Sequence, residues 1–69
     1  MSIENNIVGT KVKLNKIVYT SDYAFAKGAI LTVLEYMFHE AANFVELLLS
    51  DDQGNQLIVT NRSDYEELA

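Results

Sequence analysis

The chain contains one histidine, His39, and four serines, which are residue types that nucleophilic catalysis could use. A catalytic triad needs a nucleophile, a general base and an orienting acid within hydrogen-bond distance of one another. No feature of the sequence marks a serine as activated or pairs one with His39. We therefore predict that the protein is not an enzyme and that His39 is an exposed polar side chain.

A second group of polar side chains could attract a hard cation such as calcium. Asp51, Asp52 and Asn55 offer oxygen atoms in a row, but the alternating ligand spacing and the distant bidentate Glu of an EF-hand are missing. Asp, Asn and Gly are also the residues that a tight hairpin turn requires. The turn is the preferred interpretation, and we predict no metal site and no cofactor.

Composition and charge restrict the class of protein. With 69 residues, 49% hydrophobic residues and no Cys, the sequence predicts one folded domain without disulfides. No apolar run reaches the roughly 20 residues that span a bilayer, and residues 1–6 lack the features of a secretory signal. The expected location is the cytoplasm, without membrane association.

The net charge of −5 is unevenly distributed along the chain. Residues 1–27 carry four Lys and two acidic residues, whereas residues 28–69 carry Arg62 and eight acidic residues. Because affinity for nucleic acid comes mostly from Lys and Arg, direct binding through Lys11, Lys13 and Lys16 is the least favoured hypothesis. A basic protein partner, or mimicry of nucleic acid, remains open.

Hydrophobic patterning predicts a mainly β domain over residues 10–69, after a lead-in at residues 1–9. Alternating or β-branched runs, separated by turn residues, predict five strands. The predicted strands cover residues 11–15, 29–35, 44–49, 56–60 and 65–68.

Loops and turns between the strands also leave a signature. Gly28 and Gly54 are expected to adopt positive φ, Gly28 before a strand and Gly54 in a hairpin turn. A β-bulge near Asn15 and Lys16 would restore the alternation that is lost after Leu14. Residues 20–22 are expected to form a loop, and residues 61–64 a short helical turn.

A helical alternative covers the middle of the chain. Ile30, Leu34, Met37, Phe38, Ala41, Val45 and Leu48 recur at helical spacing, so one helix over about residues 29–49 is possible. Thr32, Val33 and the hairpin that follows favour strands instead. A short helical insert near residues 37–43 is kept as part of the preferred interpretation.

Two motifs carry a resemblance to a known family. The segment Phe25-x-Lys-Gly-x-x-Leu-x-Val-Leu-Glu35 resembles the F-K-K-G-D-x-L-x-V-L-E segment of SH3 domains, and Ser63-Asp-Tyr65 resembles their S-N-Y turn. The chain is also similar to small bacterial and phage SH3-like proteins of unknown function. The resemblance implies a five-stranded SH3-like barrel. Binding of Pro-rich peptides is not expected, because the chain has no Trp and no Pro.

Apolar residues occupy both faces of the central strands, which predicts a contact surface. In water, one face of a single-layer sheet should be polar. The second apolar face is predicted to consist of Ile30, Leu34, Phe44, Leu48 and Ile58. Tyr19, Tyr23 and Tyr65 are expected beside loops, where they could line a shallow contact site.

These patterns predict a small accessory protein that binds a protein partner, or a second copy of itself, and regulates it without catalysis. An acidic rim would favour a basic partner. The alternative function is an acidic mimic of nucleic acid that inhibits a DNA- or RNA-binding protein. The predicted rim consists of Asp51, Asp52, Asp64, Glu66 and Glu67.

Overall fold

The computed structural model describes residues 7–68, which form seven short strands and one turn of 3-10 helix. The mainly β prediction is confirmed. Residues 1–6 of the predicted lead-in, and Ala69, lie outside the described residues. The elements are β1 Lys11–Leu14, β2 Val18–Tyr19, β3 Ala24–Phe25, β4 Ile30–His39, β5 Phe44–Ser50, β6 Gln56–Val59, the 3-10 helix Arg62–Asp64 and β7 Tyr65–Leu68.

Five strands form one antiparallel sheet in the order β6-β5-β4-β1-β7, and β2 pairs with β3 as a separate two-stranded ribbon. The first strand is therefore internal, and the last strand lies beside it. Within residues 7–68 the edge strands β6 and β7 do not pair with each other, so the sheet is not closed. The SH3-like barrel itself stays a prediction.

One face of the sheet holds the hydrophobic core. The fully buried side chains include Val12, Leu31, Val33, Leu47 and Leu49, all 1% exposed or less. Alternation along each strand places these residues on one face, which we call the inner face, and their neighbours on the other, the outer face. Among the described residues, every buried side chain is hydrophobic. The predicted division of strands 44–49 and 56–60 between two faces is confirmed.

β4 contains a register shift that the sequence did not reveal. Val33 lies opposite Leu49 and Glu35 lies opposite Leu48, so Leu34 is an extra residue between two consecutive pairs. This β-bulge places Leu34 and Glu35 together on the outer face, where both are exposed. The bulge predicted near Asn15 is wrong, because β1 ends at Leu14 and the chain bends away before β2.

The helical predictions for the middle of the chain are wrong. β4 continues without a break to His39, and residues 40–43 form a tight turn into β5. The Asn43 N–H donates to the carbonyls of His39 and Glu40 at 2.7 and 3.2 Å, and Asn43 has a φ of 58°. A long β-hairpin therefore replaces both the helix over residues 29–49 and the insert near residues 37–43.

The predicted turns are confirmed. Gly28 and Gly54 have φ values of 89° and 86°, in the left-handed region that favours glycine. The Thr20 hydroxyl donates to the Tyr23 carbonyl and accepts from the N–H groups of Asp22 and Tyr23, which closes the loop between β2 and β3.

We expect Leu47→Ala to lower the free energy of unfolding by about 2 to 5 kcal/mol, because it leaves a cavity in the core. Leu48→Ala is the matched control: the neighbouring side chain lies on the outer face, so its loss should cost about 1 kcal/mol or less. Urea unfolding followed by circular dichroism measures both. Equal losses would contradict the assignment of the two faces.

Candidate functional site

The outer face of the sheet is strongly apolar. All five predicted contact residues lie on it: Ile30 is 46% exposed, Leu34 39%, Phe44 36% and Ile58 56%, while Leu48 is half-buried between its neighbours. Cross-strand pairing joins Leu48 to Ile58. Ile30 stands apart from the others, next to β1, where it faces Lys13.

Met37 belongs to the same surface and was missed in the sequence. It is 47% exposed and lies opposite Glu46 on the outer face. The expected helical insert concealed it, although a run of Tyr36, Met37 and Phe38 is more typical of a strand than of a helix. We define the apolar patch as the outer-face residues that span β4, β5 and β6: Leu34, Met37, Phe44, Leu48 and Ile58.

His39 orders one end of the apolar patch. Its ring stacks on the ring of Phe44, with centroids 4.5 Å apart and planes 19° apart. Its Nε2 atom lies 2.6 Å from Oε1 of Glu46, which is two residues beyond Phe44 on β5. His39 was expected to be an exposed polar side chain, but it is half-buried. His39 therefore packs against Phe44 and also contacts Glu46.

Charges on the outer face differ from one side to the other. Glu35 lies opposite Leu48, and Glu46 lies opposite Met37, so both carboxylates border the apolar patch. On the β1 side, the Lys11 amino group donates to the Thr32 hydroxyl at 2.9 Å, and Lys13 lies opposite Glu66. The charges next to the apolar patch are thus acidic.

The predicted acidic rim divides between two parts of the chain. Asp51 and Asp52 lie in the β5–β6 turn, whereas Asp64, Glu66 and Glu67 lie in the 3-10 helix and β7. Asp64 lies 3.4 Å from the Lys16 amino group, and Glu67 lies 3.9 Å from the Arg62 guanidinium. Two of the five carboxylates are therefore close to a cation of the same chain.

Asp51 is a structural residue of its turn. Its carboxylate accepts hydrogen bonds from the Asn55 side chain and from the N–H groups of Gln53 and Asn55, at 2.8 to 3.0 Å. The Asn55 side chain is the main reason that the pKa of Asp51 lies below its ordinary value of 3.8, and the backbone bonds act in the same direction. Within residues 7–68 no cluster of three or more His, Cys, Asp or Glu side chains could hold a metal ion.

The predicted tyrosine site is wrong for one of its members. Tyr65 is only 7% exposed and belongs to the core, and this burial raises the pKa of its phenol above the ordinary value, although Arg62 acts in the opposite direction. Tyr23 packs edge-on against Phe25, with ring centroids 4.8 Å apart. Tyr19 is 75% exposed.

A shallow groove of about 440 Å³ lies between β2 and the edge of β6 that pairs with no other strand within residues 7–68. Val18, Tyr19 and Thr20 line one side, and Leu48, Gln56 and Ile58 line the other. The groove joins the apolar patch at Leu48 and Ile58.

Comparison with known proteins gives no relative. The chain matches no protein-family model, and no curated protein or solved structure is significantly similar to it. The described part of the chain has no helix that is long and apolar enough to cross a membrane.

We expect Asp51→Asn to lower the urea midpoint at neutral pH and to have a smaller effect in acid. A carboxylate whose pKa is lowered by folding stabilises the fold above its unfolded value of 3.8, and this contribution is lost as the pH falls through the folded value. Urea titrations of the wild type and the variant, from neutral pH down to about pH 2, test this, because the two proteins differ only at residue 51. A difference in midpoint that does not shrink in acid would contradict the prediction.

Proposed function

We propose that the protein is a non-enzymatic binding module, which docks a protein partner on the apolar patch and thereby regulates it. The observation that supports this most strongly is the exposure of Leu34, Met37, Phe44 and Ile58 on one face, each more than a third exposed. Large apolar surfaces on small domains are typical of interaction sites. The ring of Phe44, which stacks on His39, suits an aromatic anchor of an interface.

The charges around the apolar patch favour a partner with basic residues. Glu35 and Glu46 border it, and the chain carries a net charge of −5. Complementary charge at the rim of an interface mainly raises the association rate and selects among partners. We therefore propose a partner that presents an apolar surface flanked by Lys or Arg.

We further propose an SH3-like arrangement for the domain. The strand order β6-β5-β4-β1-β7 supports it, because the first strand is internal and the last strand returns to its side. In such an arrangement the ribbon of β2 and β3 would correspond to the first loop of SH3 domains, although it is shorter.

The alternative function, an acidic mimic of nucleic acid, stays a prediction. Lys16 and Arg62 lie next to Asp64 and Glu67, and such intramolecular pairs reduce the negative potential that a mimic would need. The two functions differ in their response to salt, because exposed charges are screened and apolar contacts are not.

We expect Phe44→Asp to reduce capture of the partner from the native lysate by at least about tenfold, since it places a charge at the anchor of the apolar patch. Ile17→Asp is the matched control, because Ile17 is 52% exposed but lies outside the five-stranded sheet. Nuclease-treated affinity capture with quantitative mass spectrometry measures both variants beside the wild type.

The same capture experiment separates the two functions. A partner lost with Phe44→Asp and retained with Ile17→Asp and in moderate salt supports the apolar patch. If Phe44→Asp still captures a nucleic-acid-binding protein, and moderate salt elutes that protein, the result would favour the mimic over the binding module.

A further inference from the structure

The two edges of the five-stranded sheet differ in how they are protected. An exposed edge strand presents unpaired N–H and C=O groups, and proteins commonly protect such strands with charged residues or proline. β7 carries Glu66 and Glu67, whereas β6, Gln56–Val59, carries no charge and no proline. β6 is thus the edge that a further strand can join.

The hydrogen-bond pattern shows which backbone groups of β6 face outward. The Asp51 N–H donates to the Asn55 carbonyl at 3.0 Å, which fixes the alternation of the β5–β6 pair. With this alternation, the backbone N–H and C=O groups of Leu57 and Val59 form hydrogen bonds with β5. The N–H and C=O groups of Gln56 and Ile58 therefore point towards the free edge, beside the open groove.

We propose that two copies of this chain associate by antiparallel pairing of their β6 strands about a two-fold axis. Pairing centred on Leu57 would bring Gln56 of each copy opposite Ile58 of the other, with both pairs joined by backbone hydrogen bonds. Because β6 is uncharged, no like charges meet in the centre. The outer faces would continue from one copy into the next, with Ile58 beside Gln56 of the other copy.

The charges at the two ends of β6 are complementary under this symmetry. Asp52 precedes Leu57 by five residues and Arg62 follows it by five. The antiparallel arrangement therefore brings the turn that carries Asp52 in one copy towards Arg62 in the other. Arg62 is available for such a contact, because its side chain is 76% exposed and its bond to Glu67 is long, at 3.9 Å.

This inference does not rest on the proposed function, because it depends on the backbone edge and on two exposed charges. Sedimentation equilibrium from micromolar to millimolar concentration should show a reversible dimer for the wild type. Ile58→Lys should be a monomer, since it places like charges beside the two-fold axis. Ile30→Lys, the matched control on the same face next to β1, should remain a dimer.

A charge exchange tests the orientation of the two copies. Asp52→Arg and Arg62→Glu should each raise the dimer dissociation constant about tenfold, because each places like charges together. The double variant should recover most of the affinity, since it restores both pairs with the signs reversed. Circular dichroism and urea midpoints confirm that each variant is folded.

Three results would overturn the proposal. The first is a wild-type protein that is monomeric at millimolar concentration, whether or not its β6 edge binds a different protein. The second is a dimer that Phe44→Asp dissociates and Ile58→Lys does not, which would place the contact on the apolar patch. The third is a double charge variant that is no tighter than the single ones. If Phe44→Asp no longer captures the protein partner but still forms the dimer, partner binding by the apolar patch and dimerisation through β6 are independent of each other.

Discussion

The register shift at Leu34 determines most of what is distinctive in this molecule. β4 pairs with β1 through its first residues and with β5 through its remaining length, so a single extra residue changes which side chains face the core. Before the shift, Leu31 and Val33 point inward; after it, Tyr36 lies opposite buried Leu47. Without the shift, Glu35 would point into an entirely hydrophobic core, at a high desolvation cost. The bulge thus keeps the Glu35 carboxylate in water, whereas Leu34 would lie on the outer face with or without the shift.

The same shift explains why the sequence was ambiguous in this region. Ile30, Leu34 and Met37 are spaced by four and three residues, which is the pattern of one helix face. In the structure they share one face of a bulged strand. Helical periodicity and a bulged strand cannot be distinguished by spacing alone, so the helix over residues 29–49 and the insert near residues 37–43 were reasonable but wrong.

Much of the remaining structure could be predicted, because it depends on local rules. The alternation in residues 44–49 separated Phe44 and Leu48 from Leu47 and Leu49, which are buried in the structure, and the turn chemistry of Gly54 indicated the hairpin that follows. The five residues predicted for the contact surface lie on one face for the same reason. The burial of Tyr65 and the ion pair of Lys16 with Asp64 depend on contacts between distant segments, and the stacking of His39 on Phe44 depends on the β4–β5 turn, where a helical insert was predicted. Such contacts leave no periodic signal in a single sequence.

The pairing of β1 with β7 also has a consequence for how fast the fold forms. Lys11 lies opposite Leu68, so nearly all of the described chain separates these partners. Closing so long a loop costs chain entropy before any contact compensates for it, and domains with such non-local pairing fold slowly. The β4–β5 hairpin is local and can form within microseconds. During synthesis β1 therefore cannot complete its pairing until the last strand, β7, has been made. Val12 and Leu14 stay incompletely covered until then.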